Sequence, residues 1–305
     1  MEQLANDVES AKPTFESILL QQMQSQNPSV REAVAGNLNA TEQILLLALK
    51  DKVWQVRYAA AGNLSATQRV LLVAIQDPHP WVRSAAASNP KATEQTMLDA
   101  LQDEDLVVRS AVAKNDNATE LVLIVAMQDK DPWVRKIAAG NPKASKRVLL
   151  DALQDEDLNV RLAAAMNHSA TGQVLMVALT DKDPRVRYAA AENQNATENM
   201  LLDALQDEDW RVRYAAAQHQ NATEKVLMMA LKDQDPRVRI AAAGNLNATE
   251  PVLLEAMSDM NSLVRLAAAG NLSATDRVVM VAMNDQDSRV FQAAAKHPKH
   301  NHMIK

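Results

Sequence analysis

The sequence contains no cysteine, only six glycines, and only four Trp, three Tyr and two Phe among its 305 residues. Without cysteine, a disulfide framework, a Cys-ligated zinc site and an iron–sulfur cluster are all excluded. Because 47% of the residues are nevertheless apolar, the core must be built from Ala, Leu, Val and Met. That composition favours helices packed closely through small side chains.

Export and membrane signals are missing as well. The first residues, MEQLANDVESAKP, show no basic region followed by an apolar stretch, and no segment approaches the roughly 18 uninterrupted apolar residues of a membrane span. The formal charge of −6 argues against wholesale binding to nucleic acid or to an anionic membrane. We therefore expect a cytoplasmic protein that does not contact membranes.

The dominant feature is an internal repeat of 26 residues without insertions, marked by the dipeptide Val-Arg. Each unit follows the consensus DxDPxVRxAAAxNxxATxxVLLxALx. The arginines of this dipeptide are Arg31, Arg57, Arg83, Arg109, Arg135, Arg161, Arg187, Arg213, Arg239 and Arg265.

Each unit predicts two helices. The first begins after an Asp, Asn or His cap, in five units with Pro at the first helical position, and runs through Val-Arg and the Ala triplet. The second begins after Thr or Ser, usually followed by an acid, and carries the VLLxAL apolar face. The prolines are Pro28, Pro80, Pro132, Pro184 and Pro236, and the second-helix caps are Thr41, Thr67, Thr93, Thr119, Ser145, Thr171, Thr197, Thr223, Thr249 and Thr275.

Units this short bury little surface alone and must stack on their neighbours. The sequence thus predicts an all-α fold, an α-solenoid of 26-residue two-helix repeats that forms a superhelical rod. We expect one solenoid domain over residues 14–296, a leader at 1–13 and a tail at 297–305. A capping helix at 14–24 has Gln21 and Gln22 in place of core residues, as suits a solenoid end.

The stretch AAAGNLSAT occurs twice, at residues 59–67 and 267–275. Its Asn recurs in nearly every unit, with His219 and His297 as the substitutes, and five of the six glycines precede this position. Asn and His tolerate positive φ, so the pattern predicts a left-handed residue that closes the first helix. The Asn-Leu-Ser sequons are then by-products of a helix–helix turn, and we expect no glycosylation.

The arginine series could track a phosphate backbone, but an aspartate series, from Asp51 to Asp285, has the same period. We therefore interpret both as structural ion pairs. The first unit has Arg31 but Ser25 at the aspartate position, and the last has Asp285 but Phe291 at the arginine position. Pairing each Arg with the Asp 20 residues later leaves none without a partner, so the sequence predicts pairing between successive repeats.

The DxDPxVRxAAA segment resembles the HEAT repeat of the phycocyanobilin-lyase type, and NxxATxxVLLxAL is similar to the bacterial leucine-rich repeat variant. The resemblance covers about residues 14–296. Both families imply helical solenoids that serve mainly as binding scaffolds, with lyase activity in a minority. The chain lacks the cysteine cluster found in some leucine-rich variants, so no iron–sulfur role is implied.

No motif indicates catalysis or a cofactor. The DED triplets are followed by no calcium-binding loop and are interpreted as helix caps. His297, His300 and His302 could ligate a metal, but they lie in a terminus expected to fray. There is no Ser-His-Asp arrangement, phosphate-binding loop or dinucleotide motif. We expect no enzyme activity, no cofactor and no metal.

Function in a solenoid falls to positions that vary while the frame stays fixed. Two such positions, directly before Val-Arg and three residues later, share one face of the first helix and are rich in Trp, Tyr and Arg, the residues that dominate interface hot spots. They predict a surface that binds a protein or peptide. The candidate partner-binding residues are Tyr58, Trp81, Trp133, Arg185, Tyr188, Arg211, Tyr214 and Arg237.

Four alternatives stay open. These positions could be partly buried contacts between repeats, or the Arg/Tyr-rich part, including Arg187, Arg213 and Arg239, could bind nucleic acid through cations and stacking rings. A lyase-like enzyme acting on a pigment or small molecule is a third possibility. A 52-residue alternation of apolar and acidic residues in the second helix indicates duplication of a two-repeat block or a second contact surface. The oligomeric state cannot be read from the sequence.

Overall fold

A computed structural model describes residues 14–298, and all regular secondary structure within that range is α-helical. Contacts divide the chain into two compact units, with the division between Ala144 and Ser145. The all-α solenoid expected from the repeat is confirmed, because each helix packs mainly on helices one or two places away along the chain. His300 and His302, together with the expected leader, lie outside the described residues.

Within each unit the even-numbered helices are the first helices of the repeats and the odd-numbered ones the second helices. The first unit contains α1 (Phe15–Gln22), α2 (Pro28–Ala35), α3 (Glu42–Ala48), α4 (Trp54–Ala61), α5 (Gln68–Ala74), α6 (Pro80–Ser88), α7 (Glu94–Ala100), α8 (Leu106–Lys114), α9 (Glu120–Ala126) and α10 (Pro132–Gly140). The second unit contains α11 (Lys146–Ala152), α12 (Leu158–Met166), α13 (Gly172–Ala178), α14 (Pro184–Glu192), α15 (Glu198–Ala204), α16 (Trp210–Gln218), α17 (Glu224–Ala230), α18 (Pro236–Gly244), α19 (Glu250–Met257), α20 (Ser262–Ala269), α21 (Asp276–Ala282) and α22 (Ser288–Lys296).

The core consists of small and branched aliphatic side chains from both helices of each repeat. In the repeat that begins at α16, Val212 and Ala216 are fully buried beside Val226 and Leu227 of α17. Ala at the contact lets neighbouring first helices approach closely, because close packing leaves no room for larger side chains there. The third apolar residue of the VLL motif is less buried than the first two, and Leu72 is 48% exposed.

Helix caps follow the sequence prediction in the first helices except α4, where Val53 occupies the cap position and makes no side-chain bond. Asp131, for example, accepts a hydrogen bond from the backbone N–H of Trp133, and Pro132 occupies the first helical position. At the second helices, Thr67 accepts such a bond from Val70, whereas Thr249 makes no side-chain cap bond. The threonine position therefore has another role.

That role is a bond between repeats. The Thr249 hydroxyl donates to the carboxylate of Glu224, 25 residues earlier, over 2.6 Å, and Thr67 donates to Glu42 over 2.6 Å. The acidic residue at the start of one second helix thus accepts a hydrogen bond from the threonine hydroxyl of the next repeat. This side-chain bond joins successive second helices at their N-termini.

The arginine and aspartate series pair between successive repeats, as predicted. Arg57 donates from Nε and Nη2 to both carboxylate oxygens of Asp77, over 2.7 and 3.0 Å, and from Nη1 to the carbonyl oxygen of Asp51 over 2.9 Å. Each such guanidinium therefore joins the turn before its own helix to the turn before the next first helix. The same pairing joins Arg31–Asp51, Arg83–Asp103, Arg109–Asp129, Arg161–Asp181, Arg187–Asp207, Arg213–Asp233, Arg239–Asp259 and Arg265–Asp285, with Nε–Oδ2 distances of 2.5 to 2.8 Å.

The prediction of a left-handed residue at the recurrent Asn is wrong. Asn89 has φ −63° and ψ 133°, an extended conformation, and the preceding glycine in other units is right-handed, with φ −81° at Gly62. Asn89 is buried, and its Nδ2 donates to the carbonyl oxygens of Ala61 and Asn63 in the previous repeat, each over 3.0 Å. Its Oδ1 accepts from the backbone N–H of Lys91. Hydrogen bonding between repeats, and not backbone handedness, explains the conserved phase.

The histidine substitutes make equivalent bonds. His219 accepts a hydrogen bond at Nδ1 from the N–H of Asn221, and its Nε2 lies 3.0 Å from the carbonyl oxygen of Asn193. His297 is buried and places Nε2 3.1 Å from the carbonyl oxygen of Asn271. Both rings thus replace an asparagine amide in the frame.

Candidate functional site

The structure places all eight candidate residues at the surface of first helices. Trp81 and Trp133 are the second residues of α6 and α10, and they are 50% and 52% exposed. Tyr58, the fifth residue of α4, is 43% exposed. Arg185, Arg211 and Arg237 are the exposed second residues of α14, α16 and α18, while Tyr188 and Tyr214 are half-buried fifth residues of α14 and α16.

In the first unit Trp54 makes ring contacts with two neighbours, and Trp133 contacts a lysine. Trp54 packs edge-on to Tyr58, with ring centroids 6.2 Å apart, and stacks on the His79 ring at 4.3 Å with the ring planes 4° apart. Lys136 places its ammonium 4.8 Å from the ring centre of Trp133. Half of the Trp133 side chain still faces solvent, so the ring remains available to a partner.

In the second unit the candidates gather around Trp210. The Tyr214 ring lies edge-on to it at 6.2 Å, and the guanidinium carbons of Arg237 and Arg211 lie 3.4 and 5.1 Å from the centre of a Trp210 ring. A guanidinium stacked on indole is held by cation–π attraction and loses little mobility on binding. The cluster of Trp210, Arg211, Tyr214 and Arg237 is therefore preorganised.

Sequence analysis missed Trp54 and Trp210. Both occupy the first helical position, which is Pro in five other units. A departure from Pro to Trp at that position was a signal in the sequence, but it stood outside the two variable positions that were compared. His79 is the histidine among the predicted caps of the first helices, and it fills that role by accepting a hydrogen bond from the N–H of Trp81.

Arg185, Arg211 and Arg237 are each anchored to the aspartate that caps their own helix. Arg185 donates from Nε and Nη2 to both oxygens of Asp183, over 3.0 and 2.9 Å, and Arg237 binds Asp235 in the same way. These hydrogen bonds, chiefly those from the guanidinium, lower the pKa of Asp183 and of Asp235 to about 2. Both aspartates therefore stay ionised at neutral pH.

Exposure within these pairs is unequal. The Arg185 side chain is 68% exposed and that of Asp183 only 21%, and Arg211 and Asp209 have 64% and 16%. The carboxylate is turned toward the helix N-terminus, while the guanidinium reaches outward. In these two ion pairs the guanidinium is therefore the charge that is more exposed to solvent.

Two grooves flank Tyr188. One, of about 490 Å³, lies among Pro184, Arg185, Tyr188, Asp209 and Arg211. The other, of about 380 Å³, extends from the same Tyr188 toward Leu162, Met166, His168 and Glu192. Both are lined mainly by apolar surface. Burial, followed by the negative charge of Glu192, raises the pKa of the Tyr188 hydroxyl, which donates to Glu192 over 3.1 Å.

The arginines of the Val-Arg dipeptide in the same helices are not part of this surface. Arg187 and Arg213 are buried and bonded to Asp207 and Asp233, and Arg239 is bonded to Asp259. Of the residues proposed for nucleic-acid contact, only Arg185, Arg211 and Arg237 expose their guanidinium groups well. Among residues 14–298, no three His, Asp or Glu side chains are grouped so that they could hold a metal ion.

Comparison with known proteins supports the repeat type. A HEAT repeat family model matches residues 199–219, which span α15 and α16. No curated protein sequence is detectably similar to the chain. None of the helices in the described range is long and apolar enough to cross a bilayer.

Among solved structures, a leucine-rich repeat variant with a novel repetitive structural motif is 21% identical, with a TM-score of 0.50 over 81% of this chain and 88% of that one. Kap95p in a complex with RanGDP is 15% identical, with a TM-score of 0.42 over 90% of this chain and 48% of that one. Kap95 bound to Nup1 is also 15% identical, with a TM-score of 0.45 and coverages of 88% and 51%. The chain spans about half the length of these Kap95 chains.

These matches agree with the resemblance to HEAT repeats and to the leucine-rich repeat variant that the sequence motifs carry. They do not confirm the phycocyanobilin-lyase subtype of HEAT repeat. The protein is an all-α solenoid, and the HEAT repeat family model matches one segment of it, residues 199–219.

Proposed function

We propose that the protein is a non-enzymatic scaffold that binds a protein or peptide along the exposed face of its first helices. The observation that carries the proposal is the contrast between frame and face. Arg, Asp and Asn at the repeated positions are buried and bonded to neighbouring repeats, whereas Trp, Tyr and Arg at the variable positions reach solvent. Exposed Trp, Tyr and Arg on a rigid frame match the composition of binding hot spots.

A rigid frame supports binding because the surface needs little ordering when a partner arrives. The bonds between repeats hold each first helix in register, and the stacked Arg237 and Trp210 hold their own side chains in place. The face therefore offers aromatic and guanidinium groups without the entropic cost of fixing mobile loops. Catalysis is not part of the proposal.

Affinity capture tests the proposal. The full chain would be compared with a variant carrying Trp81→Ala, Trp133→Ala, Tyr188→Ala and Tyr214→Ala, and bound proteins would be quantified by mass spectrometry. A matched control substitutes four exposed leucines outside the face, Leu38, Leu72, Leu246 and Leu272, with Ala. We expect partners to be lost from the first variant only. Retention of the same partners by both variants would reject this surface.

Nucleic-acid binding is the weaker function for this face. Arg185, Arg211 and Arg237 each bind the cap aspartate of their own helix, so each Arg–Asp pair carries no net charge with which to attract a phosphate backbone. Electrophoretic mobility shifts at increasing salt distinguish the two, because phosphate binding must weaken steeply as salt rises. A shift at low salt that disappears in Arg185→Gln and Arg211→Gln would favour nucleic acid.

A further inference from the structure

The two grooves beside Tyr188 share Arg185 and Tyr188 as lining residues, and together they are here named the Tyr188 groove, with lining residues from α12, α14 and α16. Its apolar surface comes from Leu162 and Met166 of α12 and from Tyr188 of α14. Its far side is bounded by Pro184 and Arg211. Such a surface fits apolar side chains spaced along an extended segment, because the groove runs across successive helices.

Arg185 contacts both parts of the Tyr188 groove, and Arg211 lies on its far side. Arg185 uses Nε and Nη2 for Asp183, so its Nη1 is free of protein acceptors in the described part of the chain. Arg211 donates only through Nη1, to Asp209, which leaves its Nε and Nη2 without acceptors among residues 14–298. The groove therefore offers unused guanidinium donors at its edge.

Two carboxylates also line the groove: Asp209 lies in the part beside Arg211, and the exposed Glu192 lies in the part beside Met166. Asp209 accepts from the backbone N–H of Arg211 at 2.8 Å and from its guanidinium, and its side chain is only 16% exposed. Glu192 accepts from the Tyr188 hydroxyl. Beside Arg211 the Asp209 carboxylate is therefore shielded, whereas the Arg185 and Arg211 side chains are 68% and 64% exposed and present guanidinium donors to a partner.

We infer that the Tyr188 groove binds an extended acidic–apolar peptide, with a large apolar side chain packed on Tyr188 and an Asp or Glu carboxylate bonded to Arg185 and Arg211. This inference rests on the proposed function and specifies the partner for one part of the proposed surface. A carboxylate suits the site because guanidinium donors bind it in a planar, two-bond geometry. The apolar side chain supplies the buried area that an exposed ion pair alone lacks.

A displayed library of random peptides, selected on the full chain, tests the inference. We expect the enriched peptides to place an acidic residue one or two positions from Leu, Phe, Trp or Met. A fluorescent peptide of the consensus would then be titrated by anisotropy. Arg185→Gln combined with Arg211→Gln should weaken its binding by about tenfold or more, as expected for lost charge-assisted hydrogen bonds, and Tyr188→Ala should weaken it comparably.

The matched control is Arg289→Gln, which removes a guanidinium at the same helical position, bonded to its own cap Asp287, without touching the Tyr188 groove. It should bind the peptide like the unchanged protein. Helical circular dichroism and the melting temperature would verify that every variant is folded. A second peptide with Lys in place of each acid should bind at least tenfold more weakly.

The outcomes separate the two levels of the argument. Enriched peptides with a basic or uncharged consensus, or acidic peptides whose binding ignores the three groove substitutions, would overturn the inference and leave the proposed function standing. Failure to enrich any peptide, together with unchanged capture by the four-residue aromatic variant, would reject the proposed function itself.

Discussion

Removing one of the Arg–Asp ion pairs between successive repeats should destabilise the protein strongly, and we choose Arg213 for the test. Its Nε and Nη2 donate to Asp233 over 2.6 and 3.1 Å, and its Nη1 donates to the carbonyl oxygens of Asp207 and Glu208 over 2.8 and 3.0 Å. The side chains of Arg213 and Asp233 are only 8% and 6% exposed. Arg213→Ala thus removes every one of these bonds within a nearly dry environment.

The magnitude follows from what each substitution leaves behind. Arg213→Ala leaves the Asp233 carboxylate buried, with the backbone N–H of Asp235 as its bonded donor, so we expect a loss of about 3–5 kcal/mol in unfolding free energy. Asp233→Ala leaves Arg213 bonded to two carbonyl oxygens, and we expect about 2–3 kcal/mol. Because each single variant already loses the pair, the double variant should lose less than the sum, by about 2 kcal/mol.

Urea unfolding followed by circular dichroism measures this cycle, and amide hydrogen exchange in α16 and α18 locates the loss, since repeat arrays can unfold in parts. The control pairs Arg213→Ala with Asp207→Ala. The Asp207 carboxylate binds Arg187 and offers Arg213 only its main-chain carbonyl, so this pair should couple much more weakly. Additive losses for Arg213 and Asp233, within about 0.5 kcal/mol, would refute the reasoning.

Three further predictions concern other bonds of the frame and face. The Arg237 hydrogen bond is the main reason that the pKa of Asp235 is lowered to about 2. The stability that this ionised carboxylate contributes is present above its unfolded pKa of about 3.9 and is lost as pH falls from about 4 to about 2. Asp235→Asn should therefore weaken the pH dependence of the urea unfolding midpoint in that range. Asn245→Gly should lower the free energy of unfolding in urea by about 2–3 kcal/mol, because the buried carbonyls of the previous repeat lose their donor, whereas Asn245→His should lower it much less. Unchanged stability of Asn245→Gly would contradict this hydrogen-bonding role and favour the interpretation of a left-handed residue. Thr249→Ala removes the exposed hydrogen bond to Glu224 and should lower the free energy of unfolding by less than about 1 kcal/mol. A larger loss would show that the bonds between second helices contribute most to the alignment of neighbouring repeats.

The candidate surface could be located from the sequence only in part. Variable positions beside a fixed frame identified Trp81, Trp133 and Arg185 as surface residues, because the helical period places them away from the buried Val and Ala. The same comparison missed Trp210, which occupies the first helical position and meets Arg237 from the next repeat. Its importance arises from stacking between residues 27 positions apart, and no helical period links them.

The sequence by itself determined the repeat, its two helices, the caps of all the first helices but α4, and the pairing of each arginine with the aspartate 20 residues later. These features depend on local propensity and on a strict period. Arg31 and Asp285 would lack partners if pairing occurred within a unit, and this indicated that each arginine pairs with the next repeat. Only the tertiary structure decided what the recurrent asparagine does. A buried amide such as Asn89 can satisfy carbonyls of the previous repeat or stabilise a left-handed turn, and both require the same residue at the same phase. Stacking of the next repeat resolves the choice, because it buries those carbonyl oxygens and leaves them in need of a donor.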